Sequence, residues 1–268
     1  MNSVQILRYV HIGAGTLALL TFLLPMFLPK GGRAHRRVGW VFVAAMAVIG
    51  MSAAPLAVYR LVTIESTGSR LAAAFLLYIT VLSFNAVWSG LRTLRHKDTG
   101  RHTNALDLGA HGLLSTSGLA TATLGAVFKA PLFLIFGLIG TVIGIVNISE
   151  SLNPRKQKMH WWFKHMTGRM GGSIAALTAF FVINAPKLGL ATFGMVPWLL
   201  PGAILAPVTF LLGALLSAEI WFGDPGRTSS QRPARVCRPG SGVARCAVAG
   251  EDTPPGRPPC YLASMVTQ

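Results

Sequence analysis

Asp107 and His111 stand four residues apart in "ALDLGAHGLL". At helical spacing the two share a face, so the carboxylate can accept one imidazole N–H and orient the ring. Ser115 carries that polar face one turn further. His165 in "WWFKHMTG", Glu150 in "NISESL" and Glu219 in "SAEIWF" lie near the ends of other apolar runs. Asp107, His111, Glu150, His165 and Glu219 together make a candidate polar cavity. Protonatable groups enclosed by apolar helices serve as proton relays, solute paths or metal sites. The same residues also suit a hydrogen-bonded structural network with its charges at the headgroups, and the sequence leaves these readings open.

Histidines on different helices can hold a haem iron. His11, His111 and His165 are the candidate ligands of a haem b in an electron-transfer protein. His11 and His111 differ in expected depth by roughly 10 Å at 1.5 Å of rise per residue, which argues against that pair as direct axial ligands. A zinc-dependent intramembrane hydrolase is a further reading, because zinc activates a bound water. In "HWWFKH", however, His160 and His165 are five residues apart and do not share a helical face. The chain has no clear Ser/His/Asp signature and no P-loop or dinucleotide fingerprint. Catalysis is therefore the less supported class, and Asn85, Asn147 and Asn184 read best as interhelical hydrogen-bonding groups.

The elements that must position these groups are apolar blocks. Hydrophobic residues make up 52% of the chain and charged ones 12%, with a mean hydropathy of +0.54. Blocks about 20 residues long cross a hydrocarbon core of about 30 Å as helices. Seven spans are expected, over 4–28, 38–60, 70–92, 104–127, 129–149, 165–185 and 196–222. The fold class is an all-α, polytopic transmembrane helical bundle. "LLPMFLPKGG" offers no small-x-small cleavage site, so the first span reads as a retained helix.

Connections one, three and five carry Lys30, Arg33, Arg36 and Arg37, then Arg92, Arg95, Lys97 and Arg101, then Arg155, Lys156, Lys158 and Lys164. The intervening connections hold only Arg60, Arg70, Lys129 and Lys187. The positive-inside bias puts the odd connections and the C-terminus in the cytoplasm and the N-terminus outside. It also accounts for the formal charge of +16 through contact with anionic headgroups, with no nucleic-acid partner required. Trp40, Trp88, Trp161, Trp162, Trp198 and Trp221 all fall near span ends, as an interfacial belt does.

Residues 1–223 form the membrane domain. Residues 224–268 are rich in Pro, Gly, Arg and Ser and read as a disordered cytoplasmic tail. Cys237, Cys246 and Cys260 lie in that tail without a zinc spacing. "GTVIG" (140–144) and "GRMGG" (168–172) offer surfaces for close helix packing, or for a homo-oligomer.

"YVHIGAGTLALLTFLLPMFLPKGGRAHRRVGWVFVAAM" resembles bacterial multi-pass proteins of the domain-of-unknown-function 2306 group. Those proteins combine an early helical histidine with a "KGxxxHRxxGxxxV" pattern. His11, Lys30, Gly31, His35, Arg36, Gly39 and Val43 are the matching positions. "HMTGRMGGSIAALTAFFVIN" is similar to a later histidine-bearing region, through His165, Met166, Ser173 and Thr178. The resemblance implies a family site that includes His11, His35 and His165, with His35 and Arg36 on a family-like loop. It implies no particular reaction. The expectation is an integral protein of the bacterial cytoplasmic (inner) membrane, for small-solute or proton-coupled transport.

Overall fold

The computed structural model describes residues 2–95, 104–153, 160–222, 235–238 and 245–248. Two units divide the chain, Met1–Ala214 and Leu215–Gln268. Helix α1 (Ser3–Thr21) and the single turn α2 (Leu24–Phe27) lead into α3 (Arg33–Thr63) and α4 (Thr67–Arg92). A 3-10 turn at Thr93–Arg95 precedes α5 (Ala105–Val127), α6 (Pro131–Leu152) and α7 (His160–Asn184). A second 3-10 turn, Ala191–Phe193, leads into α8 (Val196–Phe222), which runs past the end of the first unit. In the second unit β1 (Arg235–Arg238) and β2 (Arg245–Val248) pair antiparallel, with Cys237 opposite Cys246.

All seven expected spans are helices. Six of the described helices are long and apolar enough to cross a bilayer. The exception is α5, which is 23 residues and therefore about 34 Å long. Its many Ser, Thr and Gly residues lower its hydropathy, and those same small residues let it approach α6 closely.

The surface is inverted relative to that of a water-soluble protein. Phe27, Val62, Leu113, Ile183 and Phe210 are exposed, while Ser52, Asn85, Asp107, His111, Asn147 and Ser173 are buried. An apolar exterior around polar contacts is what a hydrocarbon solvent selects, because unsatisfied polar groups there cost several kcal/mol. The outer faces of these helices are lipid-facing.

The connections have local causes. Gly31 takes φ +80°, a conformation that side chains disfavour, and so allows the reversal before α3. The helix then begins at Arg33, earlier than expected, so His35 and Arg36 sit in its first two turns and not in a loop. His35 Nδ1 donates to Pro25 O at 3.0 Å and ties α2 to that turn. Between α5 and α6 a tight hairpin forms. Lys129 adopts a left-handed φ of 51°, Ala130 N donates back to Gly125 O at 2.8 Å, and Pro131 starts α6.

Small residues set the close crossings. A Cβ on Gly118 would lie 2.7 Å from Thr141 N, and one on Gly168 would lie 2.7 Å from Gly90 Cα. Gly140 and Gly144 face Tyr78 Oη and Ser115 Oγ in the same way. Both glycine motifs read from sequence are therefore packing surfaces within one chain. These crossings put the starts of α3, α5 and α7 and the end of α4 at one end of the bundle, with Arg33, Arg36, Arg37, Arg92 and Lys164 among its described cations. We call it the basic end.

At the opposite end Phe75, Tyr78, Phe133, Phe136 and Trp198 form an aromatic cluster, with Phe75 stacked on Phe133 at 4.6 Å. Trp198, at the start of α8, packs its ring against Phe75 and Phe136. Lys97, Arg101, Arg155, Lys156 and Lys158 lie outside the described residues, as do the side chains of Glu219 and Trp221.

Candidate functional site

Of the five groups of the expected polar cavity, Asp107, His111, Glu150 and His165 lie toward the basic end on α5, α6 and α7, and the side chain of Glu219 lies outside the described residues. Asn104 caps α5 by accepting from Leu106 N at 3.0 Å, which fixes Asp107 in the first helical turn. A carboxylate in that turn also faces the positive end of the helix dipole. Arg92, on the last turn of α4, donates Nε to Asp107 Oδ1 at 2.9 Å and Nη2 to Oδ2 at 2.8 Å. Trp88 Nε1 donates to Oδ1 at 2.9 Å, and the Arg92 guanidinium lies 5.7 Å from the Trp88 ring centre. Asp107 is thus held by an arginine fork and an indole. Trp88, one turn from the end of α4, thus bonds the same carboxylate as Arg92.

His111 follows one turn later and is 3% exposed. Its Nδ1 lies 3.2 Å from Asn85 Oδ1 and 3.1 Å from Asn85 Nδ2. Asn85 Nδ2 also donates to Ala110 O at 2.9 Å, while Asn85 Oδ1 accepts from Asn147 Nδ2 at 3.4 Å. The Nδ1–H tautomer of His111, donating to Oδ1, preserves both of those bonds. The bond expected between Asp107 and His111 is replaced by separate partners for each. Asn85 and Asn147 do bridge helices as expected, whereas Asn184 Nδ2 turns back to Phe180 O in its own helix at 2.9 Å.

Glu150 near the end of α6 pairs with Lys164 of α7 at 2.9 Å, and His160 Nε2 lies 4.0 Å from the same carboxylate oxygen. His165 Nδ1 donates to Gly90 O at 2.9 Å, directly beside the Gly90–Gly168 crossing. Asp107, Glu150 and Lys164 all fall within electrostatic reach of His111. Asp107, His111 and His165 thus each bond α4, through Arg92 and Trp88, Asn85, and Gly90 O, while Glu150 bonds α7 through Lys164. One turn beyond His111, Ser115 Oγ is enclosed without a hydrogen-bond partner among the described residues.

His11 belongs elsewhere. Its Nδ1 bonds Ser52 Oγ at 2.9 Å on the α1–α3 seam, and Ser52 Oγ in turn donates to Val48 O at 2.7 Å. The haem candidates are thus split between α1–α3 for His11, α4–α5 for His111 and α4–α7 for His165. Among the described residues no three His, Cys, Asp or Glu side chains converge as a metal-binding group.

Sequence reasoning missed three contributors. Arg92 was counted only as a topological charge and Trp88 only as a belt residue. Arg169, inside α7, drew no attention although a cation within an apolar stretch is the signal that finds it. Away from these groups, Leu71, Leu124, Phe128 and Phe133 line an apolar recess of about 300 Å³ near the opposite ends of α4, α5 and α6.

The fold and its lipid-facing surface define a multi-pass helical membrane protein. No protein-family model matches the chain, and no curated protein and no solved structure is detectably similar to it.

Proposed function

We propose that the chain is a proton-coupled or small-solute transporter of the bacterial cytoplasmic membrane, working through the α4–α7 polar network. The carrying observation is His111, buried between helices with its Nδ1 on Asn85 and with Asp107, Glu150 and Lys164 within electrostatic reach. An ionisable ring kept at this depth with polar company from three other helices is the arrangement that proton and solute pathways use. In this reading the Nδ1 bond to Asn85 sets the ring plane, and Nε2 takes up and releases the proton. Arg92 holds Asp107 as a fixed negative charge beside the path. The basic end lies in the cytoplasm, where Lys30, Arg33, Arg36 and Arg37 meet anionic headgroups. The likeness of the first two spans to the domain-of-unknown-function 2306 group agrees with a bacterial membrane protein.

Proton flux into proteoliposomes that enclose a pH-sensitive dye tests the reading. Wild type is expected to carry protons, and His111→Asn to reduce the rate about tenfold or more, as losing a positioned proton carrier does. Unchanged flux in His111→Asn, with equal folding and incorporation, sinks the proposal. A Soret band in the purified protein would move the assignment to a haem protein.

A further inference from the structure

The apolar recess of about 300 Å³ lies opposite the basic end, between the start of α4 and the α5–α6 hairpin. Leu71, Leu124, Phe128 and Phe133 wall it, and Gly68 and Ala72 add little bulk on the α4 side. Gly68, Ala72 and Phe128 are exposed, so the recess opens outward between the helices. In a bilayer such an opening meets hydrocarbon tails. Tails are as apolar as leucine, so the lining alone selects no lipid over another. Selection falls to the rim.

That rim is electropositive. Lys129 stands between two lining residues, Phe128 and Ala130, and is exposed with φ 51°. This left-handed conformation penalises any residue with a Cβ, and a chain leaving a helix usually gives the position to glycine. A lysine held there against local preference marks a side chain with a use. Arg70, exposed next to Leu71, is anchored by its Nε, which donates to Ile64 O at 2.8 Å.

Two helices also begin here. Helix α4 starts from Ser66 and α6 from Ala130, and neither receives a side-chain cap. Gly68 and Ala130 both line the recess, so the positive ends of two helix dipoles border it. The carbonyls that end α5 are turned to its own hairpin, where Phe128 N donates to Leu124 O at 2.9 Å and Ala130 N to Gly125 O at 2.8 Å. Among the described residues Glu65 is the acid of the α3–α4 connection, one negative charge against two cations and two helix starts.

We infer that the recess seats one tail of an anionic phospholipid whose phosphate rests at the rim, against Lys129, Arg70 and the starts of α4 and α6. The ammonium, the guanidinium and the helix amides donate, and the phosphate oxygens accept. A phosphatidylglycerol brings an uncompensated negative charge to these groups. A phosphatidylcholine with the same tails brings its own cation, which Lys129 and Arg70 repel. The site lies at the other end of the bundle from the His111 network and is independent of whether that network moves protons.

Purified full-length protein in mild detergent is given equimolar phosphatidylglycerol and phosphatidylcholine with identical tails, and bound lipid is counted by native mass spectrometry. Wild type is expected to retain phosphatidylglycerol about tenfold more strongly, as a charge-assisted hydrogen bond implies. The cations of the basic end are the same in every variant, so a difference from wild type reports this rim. Lys129→Gly should lower the preference about fivefold, while the lipid-free protein melts no lower than wild type because glycine suits φ 51°. Those separate responses distinguish a lost ligand from a damaged fold. If Lys129→Gly does not fold, Lys129→Asn, which also accepts a left-handed φ, must show the same loss. Arg70→Gln should lower the preference severalfold. A Cβ at Gly68 meets nothing within 4 Å, so Gly68→Phe has room to fill the recess and should reduce retention of both lipids. Equal retention of the two lipids by wild type, or an unchanged preference in the Lys129 variant, overturns the site. So does a dimer that Gly68→Phe dissociates, which would give the recess to a second copy of the chain.

Discussion

Arg92 closes on Asp107 through two parallel hydrogen bonds, at 2.9 and 2.8 Å, and so joins the end of α4 to the start of α5. Both side chains are largely shielded, at 16% and 12% exposure. Removing one partner leaves the other charge stranded, so Asp107→Asn is expected to cost about 2–4 kcal/mol. The double variant Arg92→Met/Asp107→Leu should recover most of that loss, because no charge is then left unpaired. Thermal unfolding of the single and double variants in one detergent checks both statements. A double variant no more stable than Asp107→Asn would contradict the stranded-charge account.

Close helix packing predicts a contrast between two glycines of α5. A Cβ at Gly118 would sit 2.7 Å from the backbone nitrogen of Thr141, whereas one at Gly112 would meet nothing within 4 Å. Backbone cannot rotate aside as a side chain can. Gly118→Ala should therefore destabilise by about 1–3 kcal/mol. Gly112→Ala should be neutral or stabilising by up to about 1 kcal/mol, through helix propensity alone. Melting temperatures of the two variants decide the point, and similar values would refute the close crossing.

Asn85 makes short bonds and Asn147 a long one. Replacing Asn85 by Leu strips partners from Ala110 O and His111 Nδ1, at an expected cost of about 2 kcal/mol. Asn147→Leu loses a 3.4 Å bond to Asn85 and should cost about 0.5–1 kcal/mol. Chemical denaturation in mixed micelles measures the ranking, which a larger loss in Asn147→Leu would reverse.

Orientation is open to a direct labelling test. With Cys237, Cys246 and Cys260 replaced by Ser, single cysteines at Lys30 and Ser66 occupy connections at opposite ends of α3. An impermeant maleimide added to intact cells should label position 66 and spare position 30 until the cells are broken. The opposite pattern would reverse the assigned topology.

The helices were legible in the sequence because hydrocarbon imposes a one-dimensional rule. Each span must carry about 20 apolar residues whatever its neighbours are. Even α5, too polar to satisfy the rule strongly, was found from Asn104 to Val127, since its flanking connections end the apolar runs around it. The basic connections identified a common end for the same reason, being read one segment at a time. Depth along each helix put Asp107, His111, Glu150 and His165 toward the same end of the bundle, but it named none of their partners.

Rotation and pairing were not legible. Depth is fixed by counting residues, but a partner is fixed by which face each helix presents, and that follows from contacts far apart in sequence. Asp107 chose Arg92 and Trp88 over His111 because α4 ends beside the start of α5 with both donors turned inward. His165 reached Gly90 O because two glycines let α4 and α7 cross closely enough. Arg169 lies inside "GRMGG", which the sequence marks only as a packing surface. Only the packing of α3 against α7 showed its fork beneath Phe42, one nitrogen bonded to Gly39 and the other without a partner among the described residues. Composition determined that this chain is built for a bilayer, while tertiary packing decided which of its described charges meet one another.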